Sequence, residues 1–218
     1  MKRFAVLISG RGSNLEAMLL ARARGGLFAD PVLVISNKSD APGLAVAQRH
    51  GIPTEIVLWS DRESAEQRCL ELLHRQSADF IVLAGFMKVL TGGFIDAYCH
   101  RILNIHPALL PSFPGVHAQR QALKYGARVT GCTTHFVDAG IDTGPIILQK
   151  AVPVLPDDTE ETLSARILAC EHELVVESVN LFAADCLMID GDRRVRIDGE
   201  KFKRFRAECP ARERTVPT

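Results

Sequence analysis

The stretch FAVLISGRGSNLEAML, Phe4 to Leu19, decides the fold: a run of branched apolar residues breaks at a glycine-rich turn and resumes as a helical pattern. The same succession returns down the chain. PVLVIS (31–36) precedes a helical pattern over 43–50, EIVLW (55–59) one over 61–76 and DFIVLAG (79–85) one over 91–98, after which RILNI (101–105) follows. Strands alternating with helices predict βαβ units around a parallel sheet. Ser60 with Glu63 has capping-box spacing, and Pro42 and Gly51 bracket the second helix as an early-turn proline and a C-terminal glycine.

After Pro114 the pattern changes. A short helix is predicted near 119–125, then two strands, VTGCTTHFV (129–137) and PIILQKAVPV (145–154), joined by a loop through Asp138 to Gly144. A long helix from about Thr159 to Asp185 follows, and in LMIDGDRRVRID (187–198) the pair Asp190-Gly191 signals a hairpin. The closing ECPARERTVPT (208–218) is polar and is expected to fray. With no repeats or linkers, the chain reads as one domain over 1–198, in halves of 1–100 and 101–198, with a polar tail over 199–218.

The 218 residues are 47% hydrophobic, enough for a sizeable core. Lys plus Arg and Asp plus Glu both count 26, so no overall field draws the molecule to nucleic acid or membrane, and any anion site must be local. The apolar runs fall short of the roughly 20 residues a membrane span needs, and Met1-Lys2-Arg3 leads into a strand rather than a signal peptide. A cytoplasmic protein is expected. Cysteines at 69, 99, 132, 170, 186 and 209 show no CxxC spacing, which argues for reduced thiols and against a disulfide framework or zinc site. HExxH is absent, and no metal is expected.

Chemistry enters first at Ser9-Gly10-Arg11-Gly12-Ser13-Asn14. Glycines let a backbone turn present N–H groups, and a helix start adds partial positive charge, so a phosphate monoester fits here. Leu15 stands where a dinucleotide fingerprint needs its third glycine, and the Lys-Ser/Thr ending of a P-loop is missing. The plain alternative is a strand-to-helix turn with Ser13 or Asn14 as a cap.

The second site is LNIHPALLPSFPG, Leu103 to Gly115, where Asn104 and His106 stand two residues apart at the end of a strand. Side chains at i and i+2 share a face, so an amide able to donate to an oxyanion stands beside an imidazole able to carry a proton. Either residue could instead satisfy a neighbouring loop. Asp142, in AGIDTGP, could approach from the other side, and a carboxylate there would raise the imidazole pKa and keep His106 protonated. Thr133 and His135 share a face of TTHFV and suit supporting hydrogen bonds, although His135 alone also reads as a core histidine. His50, His74, His100 and His117 read as surface or loop residues, and Glu171-His172 as a solvated helix face.

The sequence resembles the folate-dependent formyltransferases, and within them the phosphoribosylglycinamide formyltransferase family of purine biosynthesis. The likeness runs through FAVLISGRGSNLEAML, SNKSDAPGLAVA, VLAGFMKVL, LNIHPALLPSFPGVHAQRQAL and GCTTHFVDAGIDTGPIILQ, over most of 4–185. HPALLP marks the wider group; GRGSN with PGVHAQRQAL narrows it. The resemblance implies a Rossmann-like, mostly parallel α/β sheet flanked by helices, extended by a C-terminal lobe. It implies Asn104, His106 and Asp142 as catalytic, and Gly12, Ser13 and Asn14 as the turn that holds a substrate phosphate. Glu171 would lie near the glycinamide amine. On the folate side it implies Arg62, Met87, Lys88, Val89, Leu90, Asn104 and the loop Asp138, Ala139, Gly140, Ile141 and Asp142, with Phe86 as an apolar wall.

Lys88 stands where an arginine is common and Thr133 where a serine is usual; Arg11 adds charge to the phosphate turn. The implied reaction passes the formyl group of 10-formyltetrahydrofolate, as co-substrate, to the amine of 5'-phosphoribosylglycinamide. Asn104 and protonated His106 would steady the oxyanion, and no cysteine has an adjacent base for a covalent route. Partners are small molecules, with no nucleic acid or membrane, and the state is monomer or homodimer. A formyltetrahydrofolate hydrolase is the enzyme alternative, expected to carry an extra N-terminal module, whereas here the first strand begins at residue 4. A methionyl-tRNA formyltransferase would need a further domain. A binding module without chemistry is the remaining alternative.

Overall fold

The computed structural model describes residues 1–191 and 193–208. Strands and helices alternate as β1 (Arg3–Ile8), α1 (Ser13–Ala23), β2 (Asp30–Ser36), α2 (Pro42–Arg49), β3 (Thr54–Ile56), α3 (Arg62–Arg75), β4 (Phe80–Leu83), α4 (Gly92–Ala97) and β5 (Ile102–His106). Then come α5 (Ala118–Tyr125), β6 (Val129–Phe136), β7 (Ile146–Pro153), α6 (Glu160–Ala183), β8 (Leu187–Asp190), β9 (Arg194–Ile197) and α7 (Gly199–Glu208). Among the described residues the strands form one sheet in the order β3-β2-β1-β4-β5-β6-β7-β9-β8. Neighbours from β3 to β5 are parallel. β6 runs antiparallel to both β5 and β7, and the β8–β9 hairpin joins β7 through β9.

Both faces of the parallel part are covered, which is why its strands are apolar at successive positions rather than alternately. Phe4, Val6 and Ile8 pack with α1 and α6, through Leu15, Met18, Val175 and Val179. Ala5 and Leu7 pack on the other face with α3 and α4, through Cys69, Leu72, Leu73 and Phe94. Each fully buried side chain of this size contributes roughly 1.5–3 kcal/mol, so the two faces hold the central strands rigidly.

That rigidity positions the site. From β1 the chain winds outward to β2 and β3, then returns to lay β4 and β5 on the opposite side of β1. At such a reversal the loops leaving neighbouring strands part and open a crevice at their carboxyl ends. The turn after β1 and the loop after β4 are tied across it: Ser9 N–H donates to the Gly85 carbonyl at 3.1 Å, and Met87 N–H to Ser9 Oγ at 2.8 Å.

Three local expectations change. The cap of α3 is Asp61, whose carboxylate accepts from Ser64 N–H at 2.8 Å, because the helix starts one residue later than a Ser60 cap requires. Neither Ser13 nor Asn14 caps α1; Gly12 occupies that position with φ of 77° and no side-chain cap. Residues 199–208 form α7 rather than a polar tail, since Phe202 and Phe205 lie three apart on one helix face and pack beside Leu181, Ala184 and Cys186. The expected fraying over 209–218, with Cys209, lies outside the described residues. Among the described residues no helix is long and apolar enough to cross a membrane, and no His, Cys, Asp and Glu cluster is placed to hold a metal.

Candidate active site

The antiparallel pairing of β5 with β6 sets Asn104 opposite His135 and His106 opposite Thr133, so four polar side chains come onto one patch of sheet. Asn104 Nδ2 donates to His135 Nε2 at 3.0 Å, and His135 Nδ1, directed at the Phe136 carbonyl at 2.8 Å, carries the ring proton. The loop after β6 brings in Asp142, whose left-handed φ of 54° is one that aspartate tolerates. Asp138 shapes that loop, its Oδ1 accepting from Gly140 N–H at 3.1 Å and Thr143 Oγ1 at 2.6 Å.

Asp142 is the hub. Its Oδ2 accepts from Gly115 N–H at 2.7 Å and lies 3.2 Å from His106 Nδ1. Its Oδ1 lies 3.6 Å from His135 Nε2 and accepts from Asn104 Nδ2 over a long 3.4 Å. Burial pushes the Asp142 carboxyl up, but His135, the Gly115 N–H and His106 together outweigh it and hold the group below its ordinary range. It is therefore a carboxylate at neutral pH.

His106 departs from expectation. Burial is the largest influence and lowers its pKa, exceeding the opposing pull of Asp142 and of the Phe113 carbonyl, so the resting imidazole is neutral rather than held protonated. Yet Nε2 sits 2.8 Å from the Phe113 carbonyl and Nδ1 faces Asp142, two acceptors for a ring that holds one proton. A second proton would satisfy both. Thr133 lies wholly buried beneath: its hydroxyl donates to the Ala108 carbonyl at 2.7 Å and accepts from Leu110 N–H at 3.1 Å and Gln149 Nε2 at 3.0 Å. It braces the start of the loop that follows His106.

Two cavities meet here, sharing Gly85, Met87 and Ile105 in their walls. The first, about 420 Å³, is lined by Phe86, Met87, Lys88, Val89 and Leu90, by Asn104 and His135, and by the loop 138–142. Its apolar side chains and the backbone of 87–90 fit a flat heteroaromatic ring with polar edges. The second, about 760 Å³, is lined by Ser9 to Asn14 and by Glu171, with Gln119 and Arg120 of α5 and Glu160, Glu161 and Ser164 of α6 opposite. His106 lines neither cavity; at 4% exposure it sits behind Asp142 and Asn104. Arg62, at the start of α3, is exposed and lines neither cavity.

The turn after β1 is held by close backbone approach. A Cβ on Gly12 would lie 2.7 Å from the Gly43 Cα, so α2 presses on the turn and only glycine fits. Glu171 is buried rather than on a solvated face, and its Oε2 accepts from Asn14 Nδ2 at 2.8 Å. Burial raises its pKa against the lowering effect of that bond. The Phe113 carbonyl, the Gly115 N–H and the α5–α6 wall are features of the site that no motif in the sequence announces. Two of them are backbone groups and the third is a meeting of distant helices, at which the motif GVHAQRQ only hints.

Comparison with known proteins agrees with this geometry. A family model described as formyl transferase matches residues 2–179. The chain is 40% identical over 200 residues to a phosphoribosylglycinamide formyltransferase of Escherichia coli, covering 90% of this chain and 94% of that protein. It is 48% identical over 191 residues to a trifunctional purine biosynthetic protein of Drosophila pseudoobscura pseudoobscura, covering 85% of this chain but only 14% of that protein. A solved structure of glycinamide ribonucleotide transformylase 1 from Symbiobacterium toebii superimposes with a TM-score of 0.88 at 48% identity, over 90% of this chain and 94% of that one. The chain belongs to the formyl transferase family.

Proposed function

We propose that this chain transfers the formyl group of 10-formyltetrahydrofolate to the amine of 5'-phosphoribosylglycinamide, a step of purine biosynthesis. Residues 1–198 then act as one domain, the half 1–100 supplying the phosphate turn and the half 101–198 most of the catalytic and folate residues. The observation that carries the reading is the placement of Asn104 and Asp142 in the wall of a largely apolar cavity whose neighbour starts at an uncapped helix end. One cavity suits the folate ring, the other a phosphorylated sugar.

The amine lone pair attacks the formyl carbon, and negative charge gathers on the formyl oxygen. Asn104 Nδ2 meets that oxygen by exchanging its long contact with Asp142, which costs little because the contact is already weak. The amine proton passes to the Asp142–His106 pair, directly or through a water. Once there it gives the ring the second N–H that its two acceptors call for. The proton then moves to the folate N10 nitrogen as the carbon–nitrogen bond breaks, leaving formylglycinamide ribonucleotide and tetrahydrofolate. No metal and no covalent enzyme intermediate enter this scheme.

The test is incubation with both substrates while tetrahydrofolate is followed, alongside arms with water alone and with initiator tRNA. Tetrahydrofolate formed only when the glycinamide is present supports the reading. Equal release in water would replace it with the hydrolase, and binding of both ligands without turnover with the non-catalytic module.

A further inference from the structure

From Phe113 to Val116 the backbone groups alternate between two partners. The Phe113 carbonyl lies 2.8 Å from His106 Nε2, and the Gly115 N–H donates to Asp142 Oδ2 at 2.7 Å. The Pro114 and Val116 carbonyls each accept instead from Nε2 of Gln121, on α5, at 3.0 Å. An amide nitrogen carries two N–H groups, and Gln121 spends both on this one segment. Turned over, the amide would set its oxygen against two carbonyl oxygens, so the pattern fixes its orientation.

The segment needs such a hold. Phe113 and His117 adopt left-handed φ of 55° and 58°, and Gly115 one of 79°. For residues with side chains that backbone is costly and persists only where surrounding contacts impose it. Gln121 is well placed to impose it: half-buried, it donates its own N–H to the His117 carbonyl at 3.0 Å, on a helix seated by the wholly buried Ala118 and Ala122.

We propose that Gln121 is a positioning residue for the Asp142–His106 pair: by holding the Pro114 and Val116 carbonyls it keeps the Phe113 carbonyl on the ring and the Gly115 N–H on the carboxylate. The proposal rests on the reading of that pair as the proton carrier. Asp142 and His135 are the titratable groups that face His106, and His106 and His135 those that face Asp142. Among the backbone groups, the Phe113 carbonyl favours a charged ring and the Gly115 N–H a charged carboxylate. Both therefore support the ion pair that forms when the proton arrives.

Steady-state kinetics with both substrates test this on wild type, Gln121→Met, Gln121→Glu, His106→Asn and the Gln121→Met, His106→Asn double variant, with Gly115 amide hydrogen exchange followed by NMR. Gln121→Met keeps the length and loses the donors; kcat should fall about 10-fold with either KM changed less than about 2-fold. Gln121→Glu has the same shape but sets an oxygen before two carbonyls, and should lose at least as much. In the His106→Asn background, Gln121→Met should change kcat by less than about 2-fold, because the pair it serves is already broken. Exchange at Gly115 should be about 10-fold faster in Gln121→Met.

An unchanged kcat, the full loss repeated in the His106→Asn background, or unchanged Gly115 exchange would overturn the proposal. So would a raised folate KM at undiminished kcat, the mark of a mere wall residue, since Gly115 and Val116 line the first cavity. A wild type that never yields tetrahydrofolate from the two substrates would overturn the proposed function instead, and the exchange rate at Gly115 would still decide whether Gln121 holds the segment.

Discussion

The glycine turn after β1, the proposed phosphate site, and the corner around Asp142, the proposed catalytic site, lie side by side but are built from opposite materials. The turn is backbone: the four residues Ser9 to Gly12 between β1 and α1 and the first residues of α1, shaped by a left-handed glycine pressed against Gly43 and by the end of a helix. The corner is side chains from β5, β6 and two loops, meeting on one carboxylate through hydrogen bonds of 2.7 to 3.4 Å and a histidine contact of 3.2 Å. A backbone site tolerates changes of side chain and fails when its dihedral angles are disturbed. A side-chain site does the reverse.

The sharpest way to break this contrast is Asp142→Asn, which keeps shape and removes the charge. Turnover should fall by about 10²–10⁴-fold, the usual worth of acid–base groups, while both substrates still bind in direct titration. Full turnover would remove Asp142 from the mechanism. On the backbone side, Gly12→Ala meets both a φ of 77° and the Gly43 Cα, so the turn must shift. Urea denaturation should show a loss of about 1–3 kcal/mol, and KM for the ribonucleotide should rise at least ~10-fold with kcat less affected. A KM like that of wild type would show that side chains hold the phosphate after all.

A smaller effect lies in pH. The folded pKa of His106 is below its ordinary 6.5, so folding favours the neutral ring. Its contribution to stability is present above 6.5 and is lost as pH falls through the folded value. Asp142, also depressed, acts the same way further down, below 3.8. Glu171, raised above 4.5, acts oppositely: its contribution is present below 4.5 and lost as pH rises through the folded value. His106→Asn should therefore flatten the fall in urea midpoint between about pH 7 and pH 5; an unchanged slope would mean the ring is not held neutral. The smallest effect is expected at Arg62, outside both cavities, where Arg62→Ala should change the folate KM by less than about 2-fold.

Much of the architecture is legible because strand and helix periods are local. The helical pattern that follows the glycine-rich turn becomes α1, Ser13–Ala23, and the helix expected over 119–125 spans Ala118–Tyr125. The Asp190-Gly191 signal does mark the β8–β9 hairpin. Where the structure differs from these expectations, the reason is also local. Spacing alone favours Ser60 as a cap, and the two phenylalanines of α7 stand among the charges of KFKRFR, which mask its apolar face. In the site, the i and i+2 relation put Asn104 and His106 on one face before any coordinates. That Asp142 meets His106 while His135 meets Asn104 depends on strand register and on a loop more than thirty residues away in sequence.

The charge state of His106 shows where the boundary falls. A neighbouring carboxylate predicts a raised pKa, and Asp142 does pull that way, but enclosure by surrounding atoms removes water from the ring and wins. The order of residues alone determined the alternation of strands and helices, the glycine turn after β1 and the pairing of amide with imidazole at the end of β5. Only the folded molecule decided which acid meets which ring, that Asn14 is spent on Glu171, and that His106 rests uncharged. The physical reason is that short-range periodicity is written in neighbouring residues, whereas desolvation and long-range hydrogen bonding depend on everything packed around a group.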